Sequence, residues 1–118
     1  MTRDEIMAMV PGREMDALVA EKVMMWTKDA DGSYWLADTY SIRTWEQTSY
    51  PGFQSSTDIA AAWEVVEKLK ERNEYISVHV LREGKYMACT LEDEAEADSP
   101  QEAICKLALT IVIKEETT

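Results

Sequence analysis

The chain has 118 residues, of which 46% are apolar and 30% charged, a globular composition at the usual size of a single domain. Its net charge of −11 repels nucleic-acid phosphate and anionic lipid, which argues against binding to DNA, RNA or a membrane surface. We expect one domain over residues 1–118, without a signal peptide or membrane span, because the N-terminus is polar and every apolar run is shorter than about 18 residues.

The N-terminal segment is predicted to be helical. Thr2 and Glu5 form a capping-box pattern that opens a short helical turn over residues 4–9, and a Pro-Gly pair interrupts it. A longer helix is expected over residues 13–26, where Asp16 falls on the outer face. The inner stripe recurs every three or four positions and consists of Met15, Leu18, Val19, Val23 and Trp26.

The next segment changes to a strand-like composition. A turn signal at residues 29–32 precedes two stretches, 33–36 and 39–45, that are rich in aromatic and β-branched residues. Such residues fit a pleated, half-buried surface, so we expect one or two short strands there. Residues 46–56 are expected to form an irregular loop.

The second main helix is predicted over residues 57–72. Ser56 or Thr57 would cap its N-terminus, and Asp58 would complement the helix dipole in the first turn. Its predicted apolar face consists of Ile59, Ala62, Trp63, Val66 and either Leu69 or Lys70.

Residues 75–91 carry the clearest β-hairpin pattern. Two alternating runs, 75–81 and 85–91, flank a short turn in which Gly84 can adopt a positive φ. One strand places Ile76, Val78 and Val80 on a common face, and the other does the same with Met87, Cys89 and Leu91.

The C-terminal part begins with an acidic run. We expect residues 92–98 to be a solvated loop. Ser99, Pro100 and Glu102 then form a strong start signal for a last helix, whose inner stripe is Ile104, Leu107, Ala108 and Ile111. The predicted fold is therefore α+β, in the order α-β(β)-α-β-β-α, with an antiparallel sheet of three to four strands layered with three amphipathic helices.

The sequence contains few of the residue patterns that catalysis or metal binding requires. His79 is the single histidine and is expected at or near the surface of a strand; Cys89 and Cys105 are expected to be free, buried thiols that suit a reducing compartment. Four glycines do not build a phosphate loop of the known types. We expect no cofactor, no metal and no enzymatic activity, although an abundance of carboxylates leaves a catalytic pair open.

Three blocks resemble a known family: residues 14–24 followed by a tryptophan, residues 50–64, and residues 100–109. In this order they are similar to the phage ABA-sandwich domain family, small proteins of tailed phages and prophages, chiefly of Firmicutes. The resemblance implies an α/β sandwich, a phage origin and expression inside a bacterial host, hence the host cytoplasm. It implies no catalytic residue. Residues 27–48 and the acidic run 92–98 depart from the family pattern.

An aromatic cluster with one arginine is the candidate ligand-binding site. Its members are Tyr34, Trp35, Tyr40, Arg43, Trp45, Tyr50 and Phe53. Aromatic faces stack on nucleobases, and a guanidinium binds phosphate through two hydrogen bonds. The same residue types dominate protein interfaces, and several of them could simply belong to the core.

These observations lead to two main functional hypotheses. The first is a non-enzymatic anti-defence protein that sequesters a host nucleotide immune signal and forms a homo-oligomer to enclose it. The alternative is an acidic inhibitor or adaptor that binds a basic host protein, with contacts that weaken as salt increases. A nucleotide hydrolase is a third interpretation.

Overall fold

The computed structural model describes residues 1–28, 35–38, 47–50 and 53–116, and for 27–28, 35–38 and 47–50 it describes the backbone. Within these residues the chain forms four α-helices: α1 Arg3–Ala8, α2 Arg13–Leu18, α3 Ile59–Glu71 and α4 Pro100–Glu116. It also forms six strands: β1 Thr27–Lys28, β2 Trp35–Asp38, β3 Gln47–Tyr50, β4 Ser77–Val80, β5 Tyr86–Cys89 and β6 Glu94–Ala97. The predicted α+β class is confirmed.

The strands form two antiparallel sheets, each with three strands in chain order. The first has the order β1-β2-β3 and the second the order β4-β5-β6. In the second sheet β4 and β5 form the predicted hairpin, with Val78 opposite Ala88. Its turn contains Gly84 at a φ of +73°, as the turn pattern predicted.

Helix α4 lies at the centre of the molecule. Every residue from Glu102 to Ile113 is buried, because β5 and β6 cover one part of the helix and α1, α3 and the segment after α2 cover the rest. The predicted N-cap is confirmed, since the Glu102 N–H donates to the Ser99 hydroxyl at 3.1 Å. The core is therefore built around helix α4, which packs against the second sheet and against the other helices.

Small residues on the second sheet let α4 approach closely. Ala88 stands opposite Ala95 in the β5–β6 register, and both side chains are fully buried. Ala97 is buried as well. The helix thus lies over β5 and β6. By contrast, all four residues of β4 are exposed, so this strand extends beyond the part of the sheet that the helix covers.

The N-terminal helices follow the predicted pattern with one departure. The N-cap half of the predicted capping box is present, since the Glu5 N–H donates to the Thr2 hydroxyl at 3.2 Å. The predicted helix over 13–26 is α-helical only through α2. It continues as a π-helical turn at Val19–Val23, where the Met24 N–H donates to the Val19 carbonyl at 3.0 Å. This wider turn keeps Val19, Ala20 and Val23 buried together.

The predicted face and cap of α3 are partly wrong. Its buried stripe is Ala62, Val65, Val66 and Leu69, whereas Ile59 and Trp63 are about half exposed. The cap is Asp58, whose carboxylate accepts from the Ala60 N–H at 3.0 Å. Ser56 is unavailable as a cap because its backbone N–H and hydroxyl are engaged with the N-terminal segment.

Two predicted loops contain strands. Residues 47–50 belong to β3, inside the stretch expected to be irregular, and 94–97 belong to β6, inside the acidic run. In β6 the glutamates are exposed and the alanines buried, so the strand has the alternation of a half-buried sheet. The acidic composition concealed this pattern because alanine is a weak apolar signal. None of the helices in the described part of the chain is long and apolar enough to cross a membrane.

Candidate functional site

The predicted aromatic cluster lies only partly within the described residues. Tyr34, Tyr40, Arg43 and Trp45 lie outside them. The backbone of Trp35 is in β2 and that of Tyr50 is in β3, and the two residues stand directly opposite each other. Lys28 of β1 stands opposite Trp35 on the other side. The backbone register thus aligns a lysine and two predicted site residues across three adjacent strands.

The sequence pattern alone does not identify Lys28 as a candidate site residue. It lies immediately before the turn signal at residues 29–32, where a two-residue strand leaves too short a pattern to recognise. The Asp-Gly pair in that turn is a signal that could have identified Lys28, because such a pair commonly connects two adjacent antiparallel strands. The residues on either side of it are then expected to be paired.

Phe53 joins the candidate site to the core. Its ring meets that of Trp26 edge to face, with ring centroids 4.8 Å apart and an interplanar angle of 71°. Trp26 is buried and immediately precedes β1, while Phe53 is half-buried and follows β3 by three residues. The aromatic pair therefore fastens both ends of the first sheet to the same point of the core.

A buried polar cluster holds the segment that links Phe53 to α3. The Asp16 carboxylate accepts from the Ser56 N–H at 2.7 Å and from the Ser55 hydroxyl at 3.4 Å. The Gly12 N–H donates to the Ser56 hydroxyl at 2.9 Å. Asp16 was predicted on the outer face, which is wrong. These donors satisfy the hydrogen-bonding capacity of the buried Asp16 carboxylate. The role of Asp16 is therefore to position the chain rather than to take part in chemistry.

Cys105 lies next to this cluster and is poorly suited to be a nucleophile. Burial raises the pKa of its thiol to about 12, and a hydrogen bond with Ser55 lowers it only in part. A thiolate is the reactive form of cysteine, so this residue is inert at neutral pH. Cys105 is buried as expected, whereas Cys89 is half-buried rather than buried. His79 is exposed on β4, as predicted.

A groove of about 780 Å³ lies between the C-terminal ends of the helices. Three of its cations are paired with carboxylates: Lys22 with Glu116 at 3.2 Å, Lys68 with Glu71 at 3.5 Å, and Arg72 with Glu115. The groove thus holds cations, but each already has an anionic neighbour. An anionic ligand would have to displace these glutamates.

A smaller hollow of about 280 Å³ adjoins the groove along α3. Trp26 and Trp63 line it, and Lys68 and Glu71 are common to both cavities. Trp63 is 53% exposed, and Ile59 is exposed one turn before it. This part of α3 is an apolar surface with an acidic border, formed by Glu64, Glu67 and Glu71. We call it the α3 surface.

Within the residues that the structure describes, no three His, Cys, Asp or Glu side chains come together as metal ligands. The buried carboxylate of Glu102 is paired with Lys106 at 3.1 Å, and the ammonium also donates to the Met7 carbonyl at 2.9 Å. This pair connects α4 to α1. Its polar atoms are satisfied inside the protein, so it is a structural contact.

Comparison with known proteins identifies the family. The sequence profile of the phage ABA sandwich domain matches residues 17–109, which is most of the chain. A phage protein from Bacillus cereus ATCC 14579, known from a crystal structure, superposes with a TM-score of 0.65 at 26% identity, over 90% of each chain. Among curated proteins, none matches. The match confirms the resemblance that the three sequence blocks indicated, and the chain belongs to the phage ABA sandwich domain family.

Proposed function

We propose that the protein acts by stoichiometric binding rather than by catalysis, as an anti-defence protein that sequesters a nucleotide-type immune signal of the host. The observation that supports this proposal is the register in which Lys28, Trp35 and Tyr50 stand side by side across β1, β2 and β3. An ammonium group attracts phosphate, and aromatic rings stack on a nucleobase. Phosphate and nucleobase are two of the three parts of a nucleotide.

The spacing of this row suits a small ligand. Adjacent strands lie about 4.8 Å apart, so the row spans about 10 Å, the scale of one nucleotide. Arg43, in the connection between β2 and β3, would add a second cation. A local pair of cations can hold a phosphate even in a protein with a net charge of −11, because short-range contacts dominate in a partly enclosed site.

The family supports the biological setting of the proposal. Membership of a phage family is consistent with our proposal that the protein acts in the host cytoplasm, where it would meet such a signal. Sequestration needs tight binding and slow release but no reacting group.

Calorimetry with a panel of cyclic dinucleotides and ADP-ribose derivatives tests the proposal. We expect one member to bind with a stoichiometry near one site per chain, and to be recovered unchanged after incubation, since hydrolysis would indicate an enzyme. Arg43→Ala should abolish the heat of binding and leave the melting temperature nearly unchanged. Arg82→Ala, an exposed arginine in the β4–β5 turn, is the matched control and should bind normally. No heat with any ligand would remove the support for sequestration.

A basic host protein is the second candidate partner, and the α3 surface favours it. Half-exposed Trp63 lies among three glutamates, and such a surface attracts Lys or Arg side chains through charge and through cation–π contact. A pull-down from host lysate should then recover a partner at low salt and lose it at moderate salt. Glu67→Lys should prevent capture, whereas Glu14→Lys, at an exposed position of α2, should not. A partner that Glu67→Lys leaves bound would exclude the α3 surface.

A further inference from the structure

The second sheet has two edges that differ in their protection. At the β6 edge, Glu94 and Glu96 are exposed, and the Arg3 guanidinium donates to the Glu94 carbonyl at 3.1 Å. Charged side chains and a covering group are the usual means of keeping a sheet edge from pairing with another chain. At the β4 edge, no described residue pairs with the strand on its outer side.

The backbone groups of β4 that face outward can be identified from the register. The Leu81 N–H donates to the Lys85 carbonyl at 2.8 Å, so Leu81 and Lys85 occupy a hydrogen-bonded position of the hairpin. Hydrogen-bonded and non-bonded positions alternate in an antiparallel pair. His79 and Ser77 therefore bond to β5, and the N–H and C=O groups of Val78 and Val80 point away from it.

The two valine side chains at this edge are exposed. Val78 and Val80 share a sheet face with Ala88 and Tyr86, the residues that stand opposite them. Helix α4 covers the β5 and β6 part of that face and leaves Val78 37% and Val80 78% exposed. An edge whose outward backbone groups have no partner strand in the described part of the chain, with valines beside them, is the kind that pairs with another strand.

Charge indicates which strand would pair with it. Residues 75–81 contain no Asp, Glu, Lys or Arg, in a chain with a net charge of −11. Two copies of so acidic a protein repel each other across most of their surfaces. Approach through an uncharged strand costs the least electrostatic free energy. Two identical strands can also pair in antiparallel orientation about a two-fold axis, the symmetry of a homodimer.

We propose that β4 pairs with β4 of a second copy of this chain, so that two three-stranded sheets become one continuous six-stranded sheet. The outward N–H and C=O groups of Val78 and Val80 form the new ladder, and the valines of both copies meet in one apolar strip beside the α4 helices. The inference does not depend on the nature of the ligand. Because a four-residue strand pair is a small interface, the dissociation constant is expected to be of the order of micromolar.

Sedimentation velocity over a concentration series tests the dimer. The wild-type protein should change from monomer to dimer as its concentration passes through the micromolar range. Val80→Lys should weaken association by about tenfold or more, since each substitution occurs twice in a symmetric interface. Val10→Lys is the matched control: Val10 is 76% exposed, lies far from β4 in sequence, and should leave the equilibrium unchanged.

Amide exchange measured by NMR gives a second test that needs no variant. In the dimer the amides of Val78 and Val80 are protected, and they become labile on dilution, whereas the His79 amide stays protected at all concentrations by its bond to β5. A monomeric mass at millimolar concentration would overturn the proposal. So would a dimer that Val80→Lys leaves intact, or one in which the Val78 and Val80 amides exchange as freely as unprotected ones.

Discussion

Helices α3 and α4 look alike in sequence and lie in opposite environments. Each has a capping residue before its first turn, Asp58 for α3 and Ser99 for α4, and each carries apolar residues at helical spacing. Yet α4 is buried on all sides from Glu102 to Ile113, while α3 buries one stripe and leaves Trp63 at the surface. The difference shows that periodicity detects a buried face but not how many faces are buried.

Polar residues in the two helices consequently have different roles. In α4, Glu102 and Lys106 are paired with each other, and the Thr110 hydroxyl donates to the Lys106 carbonyl at 2.8 Å. In α3, the charged residues face solvent or the edge of a groove, and the pair between Lys68 and Glu71 is partly exposed. Buried charges require specific partners, whereas solvated ones do not. Substitutions in α4 should therefore cost much more than similar ones in α3.

The largest effect is expected from truncating the centre of α4. Leu107 is fully buried, so Leu107→Ala removes apolar contacts and leaves a cavity, and should lower the free energy of unfolding by about 3–5 kcal/mol. Urea denaturation followed by circular dichroism measures this. The matched control is Leu91→Ala at a fully exposed position, where the change should stay within about 0.5 kcal/mol. Similar losses for both variants would contradict the central position of α4.

Separating the buried ion pair should be the next largest effect. Among the described residues, Glu102→Leu leaves the buried Lys106 ammonium with the Met7 carbonyl as its partner, and should cost about 3 kcal/mol. The double variant Glu102→Leu/Lys106→Met removes both charges and should regain most of that loss. Denaturation of the wild type, both single variants and the double variant gives the coupling energy. If the double variant were as unstable as Glu102→Leu, the loss of stability would not come from leaving the Lys106 charge unpaired.

Trp63 provides the corresponding test on α3. The sequence pattern placed this residue in the core, where truncation would cost about 3–5 kcal/mol. Because it is half exposed, we expect Trp63→Ala to cost about 1 kcal/mol or less. Trp26→Ala, at a buried tryptophan, is the control and should show the larger loss. Equal losses in thermal or urea unfolding would mean that α3 presents a different face to the core.

Strong local signals account for the parts of the fold that could be predicted. The capping box at Thr2, the Ser99-Pro100 start and the Gly84 turn each determine hydrogen bonds within a few residues, so they need no knowledge of the tertiary structure. The α+β class follows from them. The orientation of α3 about its own axis does not follow from local signals. The predicted stripe of Ile59, Ala62, Trp63 and Val66 fits helical spacing as well as the stripe that is buried in the structure does.

The other misses also depend on long-range contacts. Asp16 is buried because the Ser56 N–H reaches it across 40 positions of sequence, and β6 forms because β5 offers it a partner. The residue types of the candidate site could be recognised from the sequence, but their spatial arrangement could not. Trp35 and Tyr50 are opposite each other and Phe53 contacts Trp26, while the contribution of Arg43 stays a prediction.

The smallest effect is expected at an exposed ion pair, which completes the contrast with Glu102 and Lys106. Lys85, just before β5, bonds to Asp98, just after β6. The hydrogen bond from Lys85, and then its charge, lowers the pKa of Asp98 below 3.8, and the same contact raises the pKa of Lys85 above 10.5. The contribution of Asp98 is therefore present at neutral pH and lost as the pH falls below its ordinary pKa, while that of Lys85 is lost only as the pH rises above 10.5.

Because solvent screens both of these side chains, their pairing should affect titration much more than stability. Lys85→Met should return the pKa of Asp98 towards its ordinary value, as followed by NMR of the carboxyl carbon, and leave the urea midpoint at neutral pH nearly unchanged. Lys70→Met, on the exposed part of α3, is the control for loss of a lysine and should not alter the Asp98 titration. A large drop in the urea midpoint for Lys85→Met alone would show that this contact holds the β5–β6 hairpin to the start of α4, and that an exposed pair can matter here as much as the buried one.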